Sequence, residues 1–146
     1  MKITGIEAIV LVWPAPEKDY WTSLRTIGRV NELIVRVHTD TNIVGIGEAH
    51  SSGSPFPGVF KYDGQGNLQA EGPTRIVKEI MEPNLIGEDP LDNERLWDRM
   101  FSLNHYPGWA KPGWGRPQIM TAIAAIDIAL WDIKGKSANM PVYKIL

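Results

Sequence analysis

The chain has no cysteine and only three histidines, His38, His50 and His105. A disulfide scaffold and any thiolate metal site are therefore excluded. Absence of cysteine suits a reducing compartment, so the cytoplasm is the expected location. Charge of either sign is not in excess: 15 Lys and Arg against 17 Asp and Glu give a net charge of −2. No basic stripe is present, so neither a nucleic acid nor another polyanion is expected as partner. No stretch approaches the roughly 20 apolar residues that span a bilayer. Met1 to Glu7 is no signal peptide, because Glu7 interrupts a short apolar run. Gly45-Ile46-Gly47 lacks the third glycine and the following helix of a dinucleotide fingerprint. Phosphate loops and a Ser-His-Asp arrangement are lacking as well.

What remains is an ordinary globular composition, 43% hydrophobic and 22% charged, of a length that fits one domain with a core. Six Trp and eleven Pro are many for 146 residues, and they cluster outside the regular segments, as in long shaped loops. Ile6, Ala8, Val10 and Val12 alternate with Glu7, Ile9, Leu11 and Trp13 until Pro14 and Pro16 end the run. Glu32 to His38 alternates again, with Leu33, Val35 and Val37 on one face. Thr39-Asp40-Thr41-Asn42 is a turn, and Asn42 suits its left-handed position. Ile43 to Glu48 is a third strand whose glycines, Gly45 and Gly47, share one face, so something packs closely there. A three-stranded antiparallel meander results.

The second half reads as helical. Thr74 to Met81 forms a short helix with Ile76, Val77, Ile80 and Met81 inward, ended by Pro83. Asp89-Pro90-Leu91-Asp92 is a helix start with Asp89 as N-cap, and Leu96, Trp97, Met100 and Phe101 form its buried stripe. A long third helix runs from about Arg116-Pro117 to Lys134, with Gly135 at its C-terminal end. Ile119, Ile123, Ile126, Leu130 and Ile133 make one apolar face of it, while Met120, Ala124 and Trp131 extend the cover to a second. A helix apolar nearly all round is buried on more than one side, so a further domain is expected to cover it. Strands first and helices after make an α+β domain, a meander followed by a three- to four-helix bundle.

Three connections are long. Pro14 to Val30 holds Tyr20, Trp21, Thr22, Arg25 and Arg29; Ser51 to Pro73 is rich in Gly and Pro, with a possible small hairpin around Asp63-Gly64-Gln65-Gly66; Asn104 to Pro117 carries Trp109 and Trp114. Connections this long are uncommon in compact domains and often serve as binding loops or lids. The histidines have no carboxylate at ligand spacing, which excludes a metal site in this chain. Glu48 reads as a strand-end carboxylate. Asp127, the lone charge within an apolar helix before Asp132, reads as a structural, hydrogen-bonded group.

The combination of motifs resembles the N-terminal capping domain of the enolase superfamily, in its mandelate racemase and muconate lactonizing branch. Lys2-Ile3-Thr4-Gly5-Ile6-Glu7, Thr39-Asp40 leading into Val44-Gly45-Ile46-Gly47-Glu48-Ala49, and Leu85-Ile86-Gly87-Glu88-Asp89-Pro90 carry it, together with Ile126 to Lys136. Asn42 stands where that family usually has Gly, and the Ser51–Pro73 loop is longer than usual. The resemblance implies that residues 1–136 are the capping domain and 137–146 the start of a connection to a (β/α) barrel outside this chain. In such enzymes the barrel holds Mg²⁺ on three carboxylates and abstracts the proton α to a substrate carboxylate, while the metal stabilises the enediolate.

The same resemblance makes the first two long loops a lid over an acid-sugar substrate. Tyr20, Trp21, Thr22 and Arg25, with His50 and Phe56, are the candidate substrate-binding residues, Arg25 pairing a carboxylate. Catalytic residues and metal ligands are then expected outside this chain, the chain by itself is expected to be inactive, and the complete protein to be a homo-oligomer. Trp109 and Trp114 would pack on the barrel or a neighbouring subunit. The competing readings are a stand-alone α+β binding module and a truncated fragment without function.

Overall fold

A computed structural model of the protein describes residues 1–14, 20–22, 25–27, 29–50, 73–103 and 116–146. The alternating segments pair as read: strands β1 (Ile3–Pro14), β4 (Arg29–Thr39) and β5 (Val44–His50) form an antiparallel sheet in the order β1-β4-β5. Between β1 and β4, strands β2 (Tyr20–Thr22) and β3 (Arg25–Ile27) pair with each other as a second, two-stranded sheet. The Pro14–Val30 segment is thus not loop throughout. The β1/β4 ladder runs on to Pro14 opposite Arg29, and the small hairpin lies between those two positions. Asn42 has φ 62°, the left-handed conformation that the β4–β5 turn requires.

Period-two patterning sends Ile6, Leu33, Val35 and Val37 into the core. Across that inner face lies α4 (Arg116–Ala138), which buries Ala122, Ile123, Ala125, Ile126, Ala129, Leu130 and Ile133. The glycine reading holds: a β-carbon at Gly45 would overlap the Ala129 carbonyl oxygen and stand 2.6 Å from Ile133 Cγ1. One at Gly47 would overlap the Ala125 carbonyl oxygen. The other side of α4 is covered by helices of the same chain, α1 (Pro73–Ile76) and α3 (Asn93–Leu103). Cover on more than one side is thus as read, although most of it comes from this chain itself rather than from a further domain. The sheet takes its alanine side and α1 with α3 take the rest, leaving Met120, Ala124 and Ile128 as an exposed strip.

Three helix boundaries differ from the sequence reading. Helical winding continues past Pro83: α1 passes into a π-turn (Val77–Met81) and then α2 (Glu82–Leu85). Pro83 sits in the first turn of α2, where its missing N–H is not needed. Asn84 Nδ2 donates to the Ile80 carbonyl at 2.7 Å. Asp89 caps a turn rather than the helix, accepting the Leu91 N–H at 3.0 Å, and α3 starts at Asn93 with Leu96 N–H bonded to the Asp92 carbonyl. Gly135 lies inside α4, which ends three residues later. Asn139 takes φ 50°, and Met140 N–H donates to the Gly135 carbonyl while Asn139 N–H donates to the Lys136 carbonyl, the pair of hydrogen bonds of a Schellman stop.

Both edges of the sheet are closed by a lysine and an acid four residues apart. On β1, Ile6 N–H donates to Glu82 Oε1 at 3.0 Å and Lys78 Nζ donates to the Ile6 carbonyl at 2.8 Å, while Lys78 and Glu82 pair with each other. On β5, Ile46 N–H donates to Asp132 Oδ2 at 2.8 Å and Lys136 Nζ donates to the Val44 carbonyl at 2.7 Å, again as a pair. Unpaired strand edges invite association with other strands; here helix side chains occupy the Ile6 N–H and carbonyl on one edge and the Ile46 N–H and Val44 carbonyl on the other. A third tie runs through Glu88. Its carbonyl accepts Ile3 N–H, and its carboxylate receives Arg95 at 2.8 Å together with Arg99. These guanidiniums, Arg95 foremost, hold the Glu88 carboxyl below its usual range.

Candidate functional site

The described candidate residues lie in the β2/β3 pair and at the end of β5. Within the hairpin, Tyr20 opposes Ile27, Trp21 opposes Thr26 and Thr22 opposes Arg25. Thr22 and Arg25 form the last pair of this ladder, on either side of residues 23–24 in sequence. His50 is the last residue of β5, in register with Glu32, which in turn opposes Leu11. Three register steps further along β1 and β4 lie Pro14 and Arg29, from which the hairpin springs. Strand register pairs Thr22 with Arg25 and places His50 at the end of β5, on the side of the sheet where β1 ends and β4 begins; Tyr20, Trp21, Thr22 and Arg25 lie in sequence between those two strands. The sixth candidate, Phe56, lies outside the described residues, as does the small hairpin read around Asp63-Gly64-Gln65-Gly66.

Two constellations of charge lie elsewhere. On the outer face of the sheet, Glu7 pairs with Arg36 at 3.1 Å and approaches His38 Nε2 at 3.2 Å, while Glu48 is exposed on the same face. Among the described residues no three His, Asp or Glu side chains converge as a metal holder. The second lies between α3 and α4, where Asn93, Glu94, Trp97, Asp98, Asp127 and Trp131 line a cavity of about 340 Å³. Asp127 is half-buried there, and burial pushes its carboxyl above the usual aspartate value. No hydrogen bond to its carboxylate is present among the described residues, so the hydrogen-bonded role read from the sequence is not what the structure shows.

Sequence reasoning missed Asn93 and the two edge-closing pairs. The signal for the pairs was an acid and a lysine at helical i, i+4 spacing, Lys78/Glu82 and Asp132/Lys136. Nothing in a sequence says that such a pair faces a strand edge rather than water. Among the described residues no helix is long and apolar enough to cross a membrane.

With this geometry in view, the comparisons with known proteins agree. The family model for the mandelate racemase / muconate lactonizing enzyme N-terminal domain matches residues 6–146. A D-galactonate dehydratase family member, Pjdr2_1176 of Paenibacillus sp. (strain JDR-2), is 33% identical over 146 residues, spanning 99% of this chain and 27% of that protein. The crystal structure of an enolase superfamily member from Polaromonas sp. JS666 superposes with a TM-score of 0.74 at 33% identity, covering 99% of this chain and 33% of the other. A Roseovarius nubinhibens ISM protein of mandelate racemase/muconate lactonizing type, solved in complex with magnesium, gives a TM-score of 0.70 at 29% identity, with 99% of this chain and 33% of the other covered. The chain spans about a quarter of the length of the curated relatives it matches. It belongs to the mandelate racemase/muconate lactonizing enzyme N-terminal domain family of the enolase superfamily.

Proposed function

We propose that this chain is the capping domain, residues 1–136 with 137–146 as connection, of a Mg²⁺-dependent enzyme that removes the α-proton of an acid-sugar carboxylate, as a dehydratase or a racemase. The observation that supports this reading is the paired insert Tyr20–Thr22/Arg25–Ile27 between two strands of the sheet, within a domain of this family. A short insert that carries Tyr20, Trp21 and Arg25 between two sheet strands suits a lid that closes over a ligand, excluding water and selecting substrate. Arg25 would pair the substrate carboxylate or a sugar hydroxyl, with Tyr20, Trp21 and Thr22 shaping the wall and His50 and Phe56 contributing from the second loop.

The dehydratase reading is supported by the D-galactonate dehydratase family relatives, and the metal by the magnesium complex of the Roseovarius protein. Magnesium supplies charge stabilisation for the enediolate when bound. Among the described residues no three acids or histidines converge to hold it; in this reading its ligands, the general base and the general acid lie in the portion of the relatives beyond the match. The complete protein would be cytoplasmic and homo-oligomeric.

The test is exchange of the α-proton into D₂O for a panel of acid sugars, D-galactonate among them, followed by ¹H NMR. Mg²⁺-dependent exchange by a longer protein that joins this chain to its catalytic portion, and none by the 146 residues alone, is the expected pair of results. Exchange catalysed by the 146 residues alone overturns the reading.

A further inference from the structure

Counter-ions are distributed unevenly over this domain. Glu7, Glu82, Glu88, Asp92 and Asp132 each have a cationic partner, and Asp40 and Asp89 accept backbone N–H groups. Glu94, Asp98 and Asp127, like Glu48 on the sheet, have no ion pair and no hydrogen bond to their carboxylates among the described residues, and these three line one cavity between α3 and α4. Carboxylates alone make no site. The second observation is Asn93, 2% exposed, which lines the same cavity with neither its Oδ1 nor its Nδ2 hydrogen-bonded among the described residues. Buried amides are satisfied in the great majority of folded proteins; one left open beside a cavity marks a place for a polar ligand.

The walls narrow the chemistry. Trp97 stacks on Phe101 at 5.0 Å and Trp131 carries Lys134 Nζ 4.7 Å from its ring centre, and both indoles still line the cavity. Lys134 shows that the Trp131 ring accepts a cation, and its single charge leaves the three carboxylates in excess. Two indoles and carboxylates together favour a planar, weakly hydrated cation that both stacks and donates several N–H bonds. The Lys134 ammonium meets the Trp131 ring as a compact point charge, whereas a guanidinium adds a flat face and a fixed fork of donors that several carboxylates can share. A divalent metal finds no three-acid holder.

We propose that the cavity lined by Asn93, Glu94, Trp97, Asp98, Asp127 and Trp131 is a receptor for a guanidinium group. Its N–H donors pair with Asp127 and the α3 acids and satisfy Asn93 Oδ1, while the guanidinium plane lies against an indole. The group is either the side chain of an arginine in another polypeptide segment or a free guanidinium compound. Partial burial raises the Asp127 carboxyl, and a bound cation favours its ionised form.

The experiment is an NMR titration of the ¹⁵N-labelled chain with ethylguanidinium chloride, read at the Asn93 side-chain amide and the Trp97 and Trp131 indole N–H signals. Saturable shifts with half-saturation in the millimolar range are expected, at least fivefold weaker for ethylammonium and absent for sodium chloride at equal ionic strength. Asp127→Asn should weaken binding at least fivefold; Asp98→Asn, at an exposed helix position, serves if the first variant does not fold. A parallel titration with L-arginine separates the sources. Tighter binding than ethylguanidinium marks a free amino-acid-like ligand, and equal or weaker binding marks the side chain of a polypeptide. Non-saturating shifts, equal response to ethylammonium, or binding unchanged in the variants overturns the proposal.

Discussion

Gly47 of β5 rests against the backbone of Ala125 on α4, so close that a β-carbon at Gly47 would overlap the Ala125 carbonyl oxygen and stand 2.8 Å from the Ala129 nitrogen. Gly45 does the same one helical turn on, against Ala129. The obstacle in both cases is backbone, which cannot swing aside as a side chain does. Gly47→Ala should therefore push the helix off the sheet and cost about 2–3 kcal/mol, the range of overpacked cores. Gly5→Ala, where an added β-carbon meets nothing within 4 Å, should leave stability nearly unchanged. Urea unfolding of the two variants decides; equal midpoints would contradict the close approach.

Closure of the β5 edge makes a different prediction. Asp132→Ala strands the Ile46 N–H and frees Lys136 from its partner. With Asp132 about one-third exposed, at 32%, the loss should be about 1–2 kcal/mol. The more telling result is association: sedimentation should show dimers or larger species as the edge opens. Lys136→Met should cost less than Asp132→Ala, because its ammonium is more exposed. A destabilised but strictly unchanged sedimentation profile would show that the edge is guarded by something else.

The pH dependence of stability should have two limbs of opposite sign. Arg95 and Arg99 lower the Glu88 carboxyl, so its contribution is present above the ordinary glutamate value and is lost as pH falls through the lowered one. Asp127 is raised by burial. It favours the fold only while protonated, and stability declines as pH climbs through its raised value. Denaturation midpoints across pH should show a flatter acid limb for Glu88→Gln and no such decline for Asp127→Asn. Profiles parallel to that of the parent would contradict both assignments.

Hairpin substitutions should separate recognition from folding. In the complete enzyme, Arg25→Met should lower kcat/KM for an acid sugar about 10- to 100-fold, the value of a charge-assisted bond, and Trp21→Ala should broaden the range of accepted acids. Unfolding midpoints should barely move, since the hairpin pairs only with itself among the described elements. Steady-state kinetics over the panel is the measurement. Unchanged kcat/KM in both variants would remove the hairpin from the substrate wall.

Much of the architecture was legible from residue order, because period two at Leu33, Val35 and Val37 and period 3.6 from Ile119 to Ile133 have single solutions once one face is buried. Gly45 and Gly47 announced the helix contact, and Asn42 its turn. Local punctuation misled where tertiary context overrode it. Pro83 is tolerated because it opens a helical turn, and Gly135 is inside its helix because Asn139 supplies the positive φ. The Asn93 cavity was invisible, since a lone polar residue at a helix start reads as solvated until the neighbouring helix is placed over it. Placement of the candidate substrate residues along the strands followed from pairing, while the roles of those side chains came from resemblance alone.

The central claim is that these 146 residues act as the lid of a larger enzyme, and native mass spectrometry of the protein isolated from its source tests it most directly. The account predicts that this sequence is found joined, covalently or as a complex, to a further polypeptide mass of about 250 residues, the size of a barrel. A species of 16.3 kDa, or whole multiples of it with no other polypeptide, would contradict the account and leave a stand-alone binding module in its place.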